Sequence, residues 1–115
     1  MRKQLKKDLA QITESLNIPT YYLHKTDTKT ITNTYVEYEI INEYPSDFCG
    51  DRTFATSYLV QIDVFSKYES AFQLMDDIKE NLEQKGYKFT SSYDAYEDNT
   101  KLYHFAMRFN YKKIN

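Results

Sequence analysis

The chain has 115 residues and a formal net charge of −2, with 12 Tyr, 7 Phe, no Trp and only two Gly and two Pro. That length supports one core, so a single α+β domain over residues 1–115 is expected. A lone cysteine, Cys49, excludes an internal disulfide framework and fits a reducing compartment, and no apolar run reaches the length of a membrane-spanning helix.

Charge is unevenly spread. Residues 1–30 carry six Lys/Arg against three acids, residues 31–100 five against fourteen, and residues 101–115 four against none. An acidic centre argues against a nucleic-acid grip, which needs a basic stripe. Segregated charge can steer head-to-tail association between copies, although solvated faces are the commoner outcome.

The basic N-terminus, MRKQLKKDLAQI, lacks the apolar core and cleavage site of a secretory leader. Over residues 2–16, Leu5, Leu9, Ile12 and Leu16 form one helical stripe. Burying each such side chain contributes about 1.5–3 kcal/mol before entropy. Asn17-Ile18-Pro19 ends the helix, because the residue before proline is pushed out of helical geometry. Tyr21-Tyr22-Leu23 is a candidate short first strand, and residues 24–33 read as an exposed polar connector.

Thr34–Glu43 alternates Val36, Tyr38 and Ile40 against Tyr35, Glu37, Glu39 and Ile41, the pattern of a strand. Glu37 and Glu39 share a face, and a wet outer face explains them better than a catalytic pair. Tyr44–Arg52 reads as a loop from its Pro, Gly and Asp content. Ser57–Phe65 is a strand with a wholly apolar face of Tyr58, Val60, Ile62 and Val64.

Ser66-Lys67-Tyr68-Glu69 fits a capping box opening a second helix. Its stripe is Tyr68, Ala71, Phe72, Met75, Ile78 and Leu82, and Gly86 closes it in a left-handed conformation. A strand follows from Tyr87 and Phe89 to about Tyr93, and residues 95–100 turn the chain. Leu102–Tyr111 alternates Tyr103, Phe105, Met107, Phe109 and Tyr111 against Leu102, His104, Ala106, Arg108 and Asn110, and pairs with the preceding strand as an antiparallel hairpin. The expected architecture is an antiparallel sheet of about four or five strands on two helices, in the order α-β-β-α-β-β.

Chemistry has little material here. Two histidines, His24 and His104, and one cysteine do not compose a zinc pattern, and Asp47-x-Cys49-x-Asp51 lacks the remaining ligands of a metal loop. No phosphate loop, dinucleotide fingerprint or serine elbow occurs. The expectation is no catalytic residue, no metal and no cofactor. An RNA-stacking sheet is disfavoured, because no cation interleaves the aromatic face of the last strand.

The stretches TYVEYEIINEYPSDFCGD, SYLVQIDVFSK before a helix ending in GY, and YEDNTKLYHFAMRFNY carry a resemblance. The closest echoes are Tyr38-Glu39, Gln61–Ser66 and Asp98–His104. Together with the N-terminal helix they resemble the tail-completion, or tail-terminator, proteins of long-tailed bacteriophages, also described as minor tail or head–tail joining proteins. The chain departs from that pattern at Cys49-Gly50 and over Tyr21–Asn33.

The resemblance implies a structural virion protein that forms a hexameric ring at the head-proximal end of the tail tube. It halts tube polymerisation and meets the head–tail connector, while DNA passes through its lumen without specific binding. It implies assembly in the host cytoplasm and residence in the virion tail, away from membranes. Asp47, Phe48, Asp51 and Arg52 are the candidate contact to a neighbouring subunit or to the tube, because Phe48 is apolar in an otherwise polar segment; the equal alternative is that Phe48 folds back and plugs the core. The other expectations are a monomeric adaptor or regulatory domain binding one protein partner, and a head-completion protein.

Overall fold

Strand alternation and helical stripes converge on one apolar layer in the computed structural model, which describes residues 1–25 and 33–115. Five strands, β1 (Thr20–Tyr22), β2 (Thr34–Cys49), β3 (Arg52–Ser66), β4 (Lys88–Glu97) and β5 (Leu102–Ile114), form one sheet in the order β1-β2-β3-β5-β4. Helices α1 (Arg2–Thr13) and α2 (Phe72–Gln84) supply Leu5, Leu9, Ile78 and Leu82 to the same core as Val36, Val60, Ile62, Val64, Met107 and Phe109. Most of these are fully buried, as a two-layer α+β domain requires.

The α+β class with two helices stands, and the order and sheet type are corrected. Tyr21 and Tyr22 do belong to a strand, so the order is α-β-β-β-α-β-β. That strand pairs parallel to β2, Thr20 opposite Val36 and Tyr22 opposite Tyr38, which makes the sheet mixed; the other pairings are antiparallel. Parallel pairing follows from the chain entering β1 and β2 from the same end, with residues 26–32 of the intervening connector outside the described residues.

The helix ends are set by backbone geometry. After α1, Asn17 adopts φ 56°, with its N–H bonded to Glu14 O at 3.1 Å and that of Ile18 to Thr13 O at 2.8 Å. The same two bonds recur after α2, where Gly86 has φ 94° and the N–H of Tyr87 reaches Leu82 O at 3.0 Å. Both are left-handed closures that satisfy the last carbonyls. Because α1 stops at Thr13, Leu16 falls outside the buried stripe and is 54% exposed.

The expected capping box does not form. Ser66 remains in β3, fully buried, where its hydroxyl bonds Thr34 Oγ1 at 2.8 Å and accepts the Tyr68 N–H at 3.0 Å. A single 3-10 turn, Glu69–Ala71, then leads into α2, whose N-terminus has no side-chain cap. The later start leaves Tyr68 and Phe72 about half exposed, and Leu74 joins Met75, Ile78 and Leu82 in the core.

Strands run longer than their alternation suggested. β4 continues through Ala95 to Glu97, and the turn falls at residues 98–101 with Lys101 at φ 58°. The segment Tyr44–Arg52 is not a loop: β2 runs to Cys49 and β3 starts at Arg52. Only Gly50 and Asp51 turn, with Gly50 at φ 61°, as a two-residue hairpin favours. Pro45 is tolerated because it lies past the β1 pairing, on an edge.

Candidate functional site

The β2–β3 hairpin extends past the core. From Ile41 to Phe54 only Ser46 and Thr53 are even partly buried, and the molecule measures 51 × 26 × 25 Å. A bulge between Ile40 and Asn42 starts this arm by switching which β2 side chains share a face. The end of β5 braces it as a third strand, Ala55 opposite Ile114 and Tyr58 opposite Tyr111.

The four residues marked as a contact all lie at the arm's tip, and each is exposed. Phe48, opposite Thr53, is 64% exposed and does not fold back into the core. Asp47 adopts φ 54° and pairs with Lys112 Nζ at 2.8 Å, joining the tip to β5. Tyr44, Phe54 and Ile114 are also exposed on the arm. Sequence reasoning missed Ile114, since its apolar character means little until β5 is known to reach Ala55.

The sheet face opposite the helices holds a second cluster. Tyr21, Tyr35, Phe65 and His104, from four adjacent strands, form a ladder of rings with successive centroids 6.2, 5.0 and 4.3 Å apart. Beside it Glu37 stands opposite Asp63 in the β2–β3 register, both nearly buried. Glu37 accepts the Lys25 backbone N–H at 2.6 Å and lies 3.3 Å from His24 Nδ1. Asp63 accepts from Gln61 Nε2 at 3.0 Å and meets His104 Nε2 at 2.8 Å. Gln61 in turn accepts from Arg108 Nε at 3.0 Å.

The hydrogen bond to Asp63 raises the His104 pKa; burial opposes this, and the charges of Asp63, Glu97 and Glu37 add to the rise. Burial, reinforced by Glu37, pushes the Tyr35 phenol up as well. An open cleft of about 310 Å³ lies next to this network, lined by Gln61, Ser91, Ser92, Tyr93, His104 and Arg108. Its carboxylates are already engaged, so the arrangement resembles a satisfied polar network more than a poised acid–base pair.

Cys49 meets neither histidine: it is opposite Arg52, whereas His104 is opposite Phe65, roughly 40 Å of extended strand away. Among the described residues no three His, Cys, Asp or Glu side chains gather so as to hold a metal ion. Nor, among them, is any helix long and apolar enough to cross a membrane.

Compared with known proteins, the chain matches no protein-family model and no curated sequence.

Proposed function

We propose that this chain is a structural assembly protein, a ring-forming tail terminator of a long-tailed phage, acting at the head-proximal end of the tail tube. The observation that carries the reading is the β2–β3 arm, a braced hairpin displaying Phe48 beyond the domain core. An exposed aromatic on an ordered, polar-flanked projection suits docking into a neighbour, since aromatic anchors dominate interface energetics. In this reading Asp47, Phe48, Asp51 and Arg52 meet a neighbouring copy or the tube protein. The ring would be a hexamer that also meets the head–tail connector. DNA would pass through it unbound, and the chain would have no catalytic role. Its place would be the virion tail, after assembly in the host cytoplasm.

The test is electron microscopy of the chain with polymerising tail-tube protein from the same genome, together with its mass in solution. Tubes capped at one end support the reading, and uncapped tubes with an unchanging monomer overturn it. A head-completion role would appear instead as binding to connector without capping.

A second reading, a monomeric adaptor, is favoured by the outer edge of β2. Among the described residues no strand pairs with that edge beyond Tyr38, and such an edge can take an extended segment of a partner.

A further inference from the structure

We propose that the helix layer is a charge-complementary contact between copies of this chain, the basic flank of α1 from one copy seating on the acidic flank of α2 from the next. Helix α1 carries four Lys or Arg against one Asp, and α2 four acids against one Lys, so the two nearly mirror each other in charge. Lys3, Lys6 and Lys7 are exposed, as are Asp76, Asp77, Glu80 and Glu83. Among the described residues none of these seven is in a salt bridge.

The charges work against the helices that bear them. Lys3 and Lys7, and likewise Asp76 and Glu80, are like-charged neighbours at i and i+4, an arrangement that destabilises a helix. Arg2 and Lys3 occupy the positive end of the α1 dipole, and Glu83 the negative end of the α2 dipole, each the unfavourable end. An opposite charge delivered by a neighbour would relieve both helices.

On α1, Lys3, Lys6 and Lys7 share an open cleft with Gln11 and Glu14, and on α2 Asp77 and Glu80 border Ile12 of α1. Asp8 and Gln11 of α1 face α2, through Asn81 Nδ2 to Asp8 O at 3.0 Å and Lys85 Nζ to Gln11 Oε1 at 2.5 Å. The other side of α1 borders the β1–β2 edge, where Lys6, Ala10 and Glu14 share a cleft with Thr20 and Tyr38. On α2, Asp76, Glu80 and Glu83 line a cleft with Lys79, whose Nζ stands 4.0 Å from the ring centre of Phe89 in β4, at the opposite sheet edge. Lys79 is thus held over an aromatic ring, leaving the three carboxylates outward.

Seating the basic flank of α1 in one copy on the acidic flank of α2 in the next makes a head-to-tail contact, which closes into a ring or runs on as a filament. A nucleic acid would meet the basic flank but be repelled by the acidic one. A second copy satisfies both. Ring closure rests on the terminator reading, whereas the contact itself does not.

The test is sedimentation of the full chain and of two variants, K3E/K6E/K7E and D76K/E80K/E83K, each checked for wild-type circular dichroism. Wild type should associate at low salt, and raising salt to about 0.5 M should weaken this at least about tenfold. Each variant alone should stay monomeric, and mixing them equally should restore association, because every contact then pairs opposite charges. The inference fails if wild type is monomeric at low salt, if either variant associates like wild type, or if the mixture does not recover. Charge-dependent association without tube capping would sink the terminator reading and leave the contact standing. Capping by either variant at wild-type efficiency would do the reverse.

Discussion

His104 Nε2 lies 2.8 Å from Asp63 Oδ1 while its ring stacks on Phe65, 4.3 Å between centroids. The pair joins β5 to β3 on the face away from the helices, with Glu97 3.8 Å from the other ring nitrogen. Its proton is therefore bound more tightly in the folded chain than in the unfolded one.

A raised histidine pKa stabilises fully below the unfolded value of about 6.5 and fades as pH climbs through the higher folded value. Denaturant titrations at pH 6 and pH 8 should show His104→Gln costing about 1.5 kcal/mol at the lower pH, the scale of a hydrogen bond to a charged group. The cost should shrink at the higher pH. Parallel losses at both would contradict a protonated His104.

Ser66 and Glu69 separate the two accounts of how α2 begins. Because Ser66 is buried with its hydroxyl bonded to Thr34 and to the Tyr68 N–H, Ser66→Ala should cost about 1–3 kcal/mol. Glu69 makes no cap, so Glu69→Ala should stay within about 0.5 kcal/mol. Equal effects in chemical denaturation would restore the capping box.

At Gly86 the demand is conformational. A Cβ there would meet only Tyr111 Cε2 at 3.8 Å, ordinary contact, yet φ is 94°. Gly86→Ala should cost about 1–2 kcal/mol, and Gly86→Asn less, since Asn tolerates left-handed backbone better. Melting temperatures in that order check it; a cost-free alanine contradicts it.

At the arm's tip, stability and function should separate. Phe48→Ala with Asp51→Lys removes an exposed ring and reverses an exposed charge, so stability should change by no more than about 0.5 kcal/mol. Capping of tail tubes, counted by electron microscopy, should be lost. Normal capping would remove the tip from the interface.

Elements whose side chains face one core were legible along the chain. Val60, Ile62 and Val64 in β3, Phe105, Met107 and Phe109 in β5, and Met75, Ile78 and Leu82 in α2 are buried as their spacing required, because burial of one face imposes a period. Gly86 was legible for the same local reason, a backbone angle few other residues adopt. Where strands end, which way β1 runs and what Ser66 bonds depend on contacts between elements distant in the chain. Residues 44–49 have loop composition yet pair as a strand, because β3 supplies the ladder partners that local propensity does not. The assembly of Tyr21, Tyr35, Phe65 and His104, and the docking of a basic helix beside an acidic one in one layer, follow from strand order and helix packing. A pattern read along one dimension carries neither.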